Sequence, residues 1–520
     1  MECFSNIRII IPLFQYSKAL HIYMILHMRS NFLLFIVSIL LGITTFASCM
    51  KEVAPDPVLV VSPSEISFES SGGVDTLTIE SSGKWTINNS AYTWLQLSTT
   101  NGDMGTVVVK LTVASPNVTG AIRSVILVVS SENGQSRRVK VSQAFIYTVP
   151  SLYPSYNISP QSPDETGMSS NAVALAAKMK MGINFGNTME SPVEGDWQTS
   201  KLTESYVKFV KQTGFNAVRI PCGWVYSHLS DPEKMMIDPA WLNRVKEVVG
   251  WCVDNDMYVV LNAHGDWGWL ENNVNKAMQD SVNAKQKAIW EQIATTMRDF
   301  DEHLIFAGAN EPAVEDAEGM AILNTYHQTF INAVRATGGK NSYRVLVVQG
   351  PTTDCNKTYN LMNTRPEDPA PKRLMVEVHN YTPSTFTILT GGDASWGKMT
   401  YYWGDGNHST IEPERNATWG EEDVIIAEFQ KMKQKFVDKG IPVVLGEYAA
   451  FRRTASFTKY IPMDIEMHNQ SIDYWTSFVT KQAKEHGLLP FYWEQGPVLD
   501  RKNNVVLDQG IVDALIAGSN

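Results

Sequence analysis

Two apolar runs, each ending abruptly in a glutamate, set the pattern of the longer part of this chain. Leu304-Ile305-Phe306-Ala307-Gly308-Ala309 leads into Asn310-Glu311-Pro312, and Ile441-Pro442-Val443-Val444-Leu445-Gly446 leads into Glu447-Tyr448. Short apolar runs bounded by turn residues read as buried strands. Pro312 cannot donate to a sheet ladder, so the first run stops there. Further strand candidates of this kind fall at 182–185, 217–220, 258–262, 345–348, 375–378 and 489–492. Between them, apolar residues recur at helical spacing, as in 241–253 and 421–436. Strands alternating with helices predict a parallel sheet. About eight such units predict an α/β fold, a (β/α)8 TIM barrel over residues 171–520. A doubly wound open sheet is the alternative, but no Gly-rich nucleotide loop follows the first strand.

The pattern is different upstream. From 58 to 147 the chain shows short alternating strands, such as 76–80, 107–113 and 124–129, punctuated by Gly72-Gly73, Ser82-Gly83 and Asn133-Gly134. Period-2 alternation without a helical period predicts a small all-β, immunoglobulin-like sandwich. Residues 148–170, with Pro150, Pro154, Pro160 and Pro163, read as an extended linker. A helix is expected from about 171 to 180.

The first residues read as a leader. An apolar run at 32–43 follows Met28-Arg29 and precedes Phe46-Ala47-Ser48-Cys49. The run is short for a membrane span, and its flanks are those of a secretory signal peptide. Cys49 is placed like the lipidated first residue of a bacterial lipoprotein, and Lys51-Glu52 resembles a surface-export tag. Residues 1–48 are therefore expected to be a leader whose true start is Met28, and 49–57 a lipid-anchored tether. This implies an exported protein held in the outer membrane and facing the cell surface. A signal anchor with a genuine N-terminal extension is the alternative.

Composition narrows the function. A net charge of −11 argues against nucleic-acid binding. The 14 Trp, 19 Tyr and 20 Phe supply aromatic faces that suit sugar rings, although most aromatics are core. Beyond the leader, Cys222, Cys252 and Cys355 match no zinc or redox spacing. They read as buried small hydrophobes, with one disulfide among them left open. No HExxH, GxSxG or P-loop occurs, and no carboxylate spacing demands a metal. Neither a cofactor nor a metal is expected.

Barrels of this kind carry chemistry at the carboxyl ends of their strands. Here those ends hold Asn187, Arg219, His264, Asn310, Glu311, His379, Tyr381, Glu447 and Trp493. Two glutamates on two strand ends supply what glycoside cleavage needs, a proton for the leaving oxygen and a carboxylate for the anomeric carbon. The stretch 391–419 holds Trp396, Tyr401, Tyr402, Trp403 and Trp419 and reads as a stacking surface for sugar units. Trp267 and Trp269 are similar candidates.

Several motifs together resemble glycoside hydrolase family 5 over nearly all of 181–519. They are 182–190, 214–221, Asn310-Glu311-Pro312, Val378-His379-Asn380-Tyr381 and Gly446-Glu447-Tyr448. The first is most similar to the cellulase and xyloglucanase branch, subfamily 4. The resemblance implies Glu311 as acid/base and Glu447 as nucleophile of a retaining endo-β-1,4-glucanase. Its target would be cellulose, mixed-linkage glucan or xyloglucan. Arg219 and Tyr381 would keep Glu447 ionised, and Glu311 would need a raised pKa. Asn310 would hold the 2-hydroxyl of the reacting sugar, His264 and His379 would line its subsite, and Trp493 would be its stacking floor. The chain departs from the family at His264-Gly265, Ala307, Ala309 and Glu494-Gln495, which bears on subsite preference. A β-mannanase and a non-catalytic glycan-binding surface lipoprotein are the alternatives. Gly72-Gly73, Gly83-Lys84-Trp85, Trp94-Leu95, Thr119-Gly120, Arg123-Ser124 and 139–143 resemble a BACON domain. That domain is expected to act as a spacer, with Trp85 and Trp94 in its core.

Overall fold

A computed structural model describes residues 58–520 apart from 90–92, 120, 198–199 and 456. The expected leader and tether, with Cys49, lie outside the described residues. Among the described residues no helix is long and apolar enough to cross a membrane.

The first unit is a two-sheet sandwich. Leu59–Ser62, Gly73–Ser81, Gly105–Val113 and Gln96–Leu97 form one sheet. Glu65–Phe68, Ser136–Gln143, Arg123–Ser131, Trp85–Asn88 and Asn101–Gly102 form the other. Each long strand buries every second residue, so Leu77, Ile79, Val109 and Leu111 face Leu127, Val129, Val139 and Val141. Such alternation fixes register, since a one-residue slip would turn each apolar set to solvent. Trp85 lies in this core, and a side chain at Gly102 would strike its ring. Trp94 is partly buried beneath the Arg123 guanidinium, 4.9 Å from its ring centre.

The segment after the sandwich is extended and docked. Ser155 Oγ and the backbone N–H groups of Tyr156 and Asn157 all donate to Glu291. Gln161–Pro163 pairs in parallel with Gly338–Gly339. The sandwich also touches the barrel directly, where Ser70 Oγ and Ser71 N each donate to Glu367 Oε1 at 3.0 Å. The helix expected at 171–180 is confined to Ala172–Ala176, capped by Asn171. The chain then leaves helical bonding, and the Lys180 N–H donates to Asn216 Oδ1.

All eight expected barrel strands are present and close a parallel barrel. In order they are Gly182–Asn184, Ala217–Ile220, Tyr258–Asn262, Leu304–Ala307, Leu346–Gln349, Leu374–His379, Val443–Tyr448 and Leu488–Tyr492. The first strand pairs with both the second and the eighth. Inward-facing Ala217, Val260, Ile305, Val347, Met375, Val444 and Phe491 fill the interior, so the barrel is a packed core with its chemistry confined to one end. Gly182 is needed here, because a Cβ would sit 2.4 Å from the Phe491 ring. Cys222, Cys252 and Cys355 are buried and free, so no disulfide joins them.

Candidate active site

Arg219, near the end of the second strand, is the hub of the strand-end face. It is fully buried, and a buried guanidinium has to find partners for its donors. Nη1 donates to Asn184 Oδ1 at 3.0 Å and to Glu447 Oε1 at 2.9 Å, and Nη2 donates to Asn310 Oδ1 at 2.7 Å. Nε lies 2.8 Å from Glu377 Oε1. One cation thus aligns groups from the first, sixth and seventh strands with the loop after the fourth.

Glu447 also accepts from the Tyr381 hydroxyl at 2.9 Å. Across the cleft, Glu311 Oε1 is 2.7 Å from His379 Nδ1. One carboxylate oxygen each from Glu311 and Glu447 lies within 4.8 Å of the other. The two differ in access, since the Glu311 side chain is 43% exposed and that of Glu447 only 7%.

Burial pushes Glu447 above the ordinary glutamate range, while the charges of His379 and Arg219 pull it back. Its two donors, Arg219 and Tyr381, are arranged for the anion. Burial also pushes Glu311 up, but its hydrogen bond to His379, with the His379 and Arg219 charges, outweighs this and holds it below the ordinary range. That direction is opposite to the one expected from sequence. The cause is His379, which burial alone would lower but which Glu447, Glu311 and Glu377 together raise to about 9. The proton therefore resides on the His379 side of a 2.7 Å contact, within one transfer of Glu311.

Glu377 was missed in the sequence. It is a fully buried carboxylate inside the sixth strand. It accepts from Gln349 Nε2 at 2.6 Å and faces His379 Nε2 at 3.3 Å. A lone acid within the apolar run Met375-Val376-Glu377-Val378 was the signal that could have found it.

His264 is half-buried and stacks on Trp493, with ring centres 5.6 Å apart and planes at 16°. Asn262 Oδ1 accepts from the Cys222 N–H, so its amide N–H2 faces His264 Nδ1 at 3.3 Å. His264 therefore carries its proton on Nε2. Burial, then the charges of Arg219 and His379, hold its pKa well below the usual value and keep it neutral. Asn187, with φ of 57°, donates through Nδ2 to Gln495 Oε1 at 3.0 Å.

A cleft of about 550 Å³ beside these groups is lined by Trp197, His264, Trp267, Asn310 and Glu311, together with Glu190 and Glu271. Trp267 and Trp396 are exposed, at 69% and 57%, whereas Trp269 is partly buried against the core. Trp403 corrects an expectation: it is fully buried, packs on Tyr474 and Phe478, and donates Nε1 to Gly420 O. Tyr401 and Tyr402 are buried too. Only Trp396 and Trp419 of that stretch present open faces, because the loop folds its other aromatics inward as a small core. Glu311, His379 and Glu447 are near enough together to ligate an ion, but the Arg219 charge bonded to Glu447 opposes a cation there.

The arrangement brings an exposed carboxylate beside His379 and a buried one beneath Arg219 and Tyr381 around one point, and a carboxyl pair is what cleavage of a glycosidic bond needs. Comparisons with known proteins agree. Residues 178–497 match the family model for cellulase, glycosyl hydrolase family 5, and residues 83–144 match the BACON model, described as an N-terminal binding domain. A xyloglucan-specific endo-β-1,4-glucanase of Bacteroides ovatus is 30% identical over 504 residues, 92% of this chain and 95% of that protein. A Bacteroides ovatus family 5 xyloglucanase, solved with a XXXG heptasaccharide, superposes with a TM-score of 0.67 at 29% identity, covering 89% of this chain and 100% of that one. A xyloglucan-specific β-1,4-glucanase from a ruminal metagenomic library, solved with XXLG, gives 0.61 at 37% identity over 67% of this chain and 96% of its own. The chain belongs to glycosyl hydrolase family 5, the cellulase family, and carries a BACON domain ahead of its catalytic barrel.

Proposed function

We propose that the protein is a retaining endo-β-1,4-glucanase that cuts internal bonds of β-glucans, with xyloglucan among its substrates. The observation that carries this reading is the Glu311–Glu447 pair, whose oxygens approach within 4.8 Å. Inverting enzymes hold their carboxyl groups about 6.5–9.5 Å apart to admit a water, whereas retaining ones hold them about 5–5.5 Å apart. The named substrates of the relatives support a glucan backbone.

In this reading Glu447 attacks the anomeric carbon while Glu311 protonates the leaving oxygen. A covalent glycosyl-enzyme forms, and Glu311 then takes a proton from the water that releases it. His379 passes its proton to Glu311 before the leaving oxygen is protonated, and takes it back once Glu311 has deprotonated the water, with Glu377 facing its far nitrogen at 3.3 Å. Asn310, oriented by Arg219, bonds the 2-hydroxyl of the reacting sugar. Trp493 is its floor, and the His264 Nε2–H donates toward it. Trp267 and Trp396 extend stacking along the chain. The lipoprotein-like pattern ending at Cys49 supports an exported enzyme anchored by lipid at the outer membrane, facing the polymer.

Product analysis on carboxymethyl-cellulose, barley β-glucan, xyloglucan and glucomannan tests the reading. Mixed-length gluco-oligosaccharides from the start of the reaction are expected. Cleavage confined to mannose-containing polymer would replace it with a mannanase, and binding without new reducing ends would remove the catalytic reading.

A further inference from the structure

Trp493 is held through its backbone, by Gly186, by Gln495 and by the stacked His264 ring, whose plane is at 16° to the indole. Its backbone N–H donates to Tyr448 O at 3.0 Å, next to Glu447. Gly186 lies against the ring, where an added methyl would sit 3.0 Å from an indole carbon and 2.9 Å from Glu494 O. These contacts anchor the backbone and leave no room for the ring to move toward Gly186. The polar edge of the ring has its own partner, because Nε1 donates to Gln495 Oε1 at 3.3 Å. That same oxygen accepts from Asn187 Nδ2 at 3.0 Å. Asn187 is itself set in a left-handed conformation. Glu190 takes its N–H and that of Thr188, the latter at 2.8 Å. One amide oxygen therefore serves two donors, one from the floor and one from the loop after the first strand, and it cannot turn without releasing both.

We propose that Gln495 is a positioning residue that sets the tilt of the Trp493 ring and couples it to the first barrel loop through Asn187. The inference rests on the reading of Trp493 as the floor beneath a β-linked glucosyl unit. A stacking face acts on a reacting sugar only while it stays parallel to it, and small misplacements cost rate more than binding. The Gln495 oxygen reaches the floor only through the indole N–H, so its effect on the ring disappears when that N–H is removed, and what then remains is the smaller cost of freeing Asn187.

The test is a double-mutant cycle on the full chain, read as kcat and KM on barley β-glucan. Gln495→Leu is expected to lower kcat about tenfold with KM changed less than about threefold. Gln495→Glu, which keeps an acceptor oxygen in place, is expected to recover most of that loss. In Trp493→Phe, which lacks the N–H, adding Gln495→Leu is expected to cost less than about twofold. Equal losses in both backgrounds, or a Gln495→Glu variant as impaired as Gln495→Leu, would overturn the proposal. Should Gln495→Leu not fold, Asn187→Ala is expected to show the same dependence on the indole N–H, and its absence would count against the coupling. A wild-type protein that cleaves no glucan would refute the glucanase reading instead. The same cycle, read as cellotetraose affinity by calorimetry, would then decide the role of Gln495.

Discussion

Gly446 leaves the space that Glu377 occupies: a methyl group on Gly446 would lie 2.0 Å from Glu377 Oε1. The residue before Glu447 is thus small so that a buried carboxylate can reach Arg219 Nε, 2.8 Å away. Gly446→Ala should push Glu377 off Arg219 and, through it, misplace Glu447. The expected result is a loss of kcat of about a hundredfold or more with a folded barrel, since misplacement of about 1 Å costs that much. Near-wild-type kcat in Gly446→Ala would show that Glu377 does not organise the site.

The charge of Glu377 also bears on pH dependence. Burial lowers His379, but Glu447, Glu311 and Glu377 raise it to about 9. A raised histidine holds its proton more tightly when folded. Its stabilising contribution is full below pH 6.5 and is lost as pH rises through about 9. Glu377→Gln removes one of the three anions. The alkaline limb of kcat/KM is therefore expected to move to lower pH, by roughly one unit. An unmoved limb in initial-rate profiles would separate His379 from the catalytic proton.

Glu271 lines the cleft yet has a buried carboxyl oxygen without a partner. Burial raises its pKa to about 8, and the charges of Asp266 and Glu311 add to the shift. An acid raised on folding costs stability wherever the unfolded chain would ionise it. Stability is thus lost from about pH 4.5 upward until pH 8 is passed. Glu271→Gln should melt higher than wild type at pH 8, with the advantage shrinking toward pH 4.5. A constant difference across that range, measured by thermal unfolding, would contradict the assignment.

The tryptophans of 391–419 should divide by burial. Trp403→Ala empties a fully buried site and should cost about 3–5 kcal/mol of stability. Trp396→Ala, at an exposed site, should leave the melting temperature within about 2 °C and weaken polymer binding in affinity electrophoresis. A reversal of these outcomes would return Trp403 to the substrate.

These cases show what a sequence can disclose and where it stops. The eight barrel strands were legible because strands buried on both faces are short apolar runs, and each was placed to within three residues. Glu311, Glu447 and Arg219 were legible because strand ends in a barrel converge, and the structure brings all three together. Glu377 was not, since it sits inside a strand and its partners Arg219 and Gln349 lie on other strands. Trp403 was misjudged because an aromatic-rich loop and a small aromatic core have the same composition, and only packing separates them. The extended segment at 148–170 gave no sign of its dock, which depends on Glu291 more than a hundred residues away.

Glu447 is expected to act by double displacement. This is tested most directly by following the anomeric configuration of the first product by proton NMR, as cellotetraose or a xyloglucan oligosaccharide is cleaved and before mutarotation. With retention, the new reducing end appears first as the β anomer. First appearance of the α anomer would mean direct attack by water, and would contradict the role given to Glu447 and the meaning given to its closeness to Glu311.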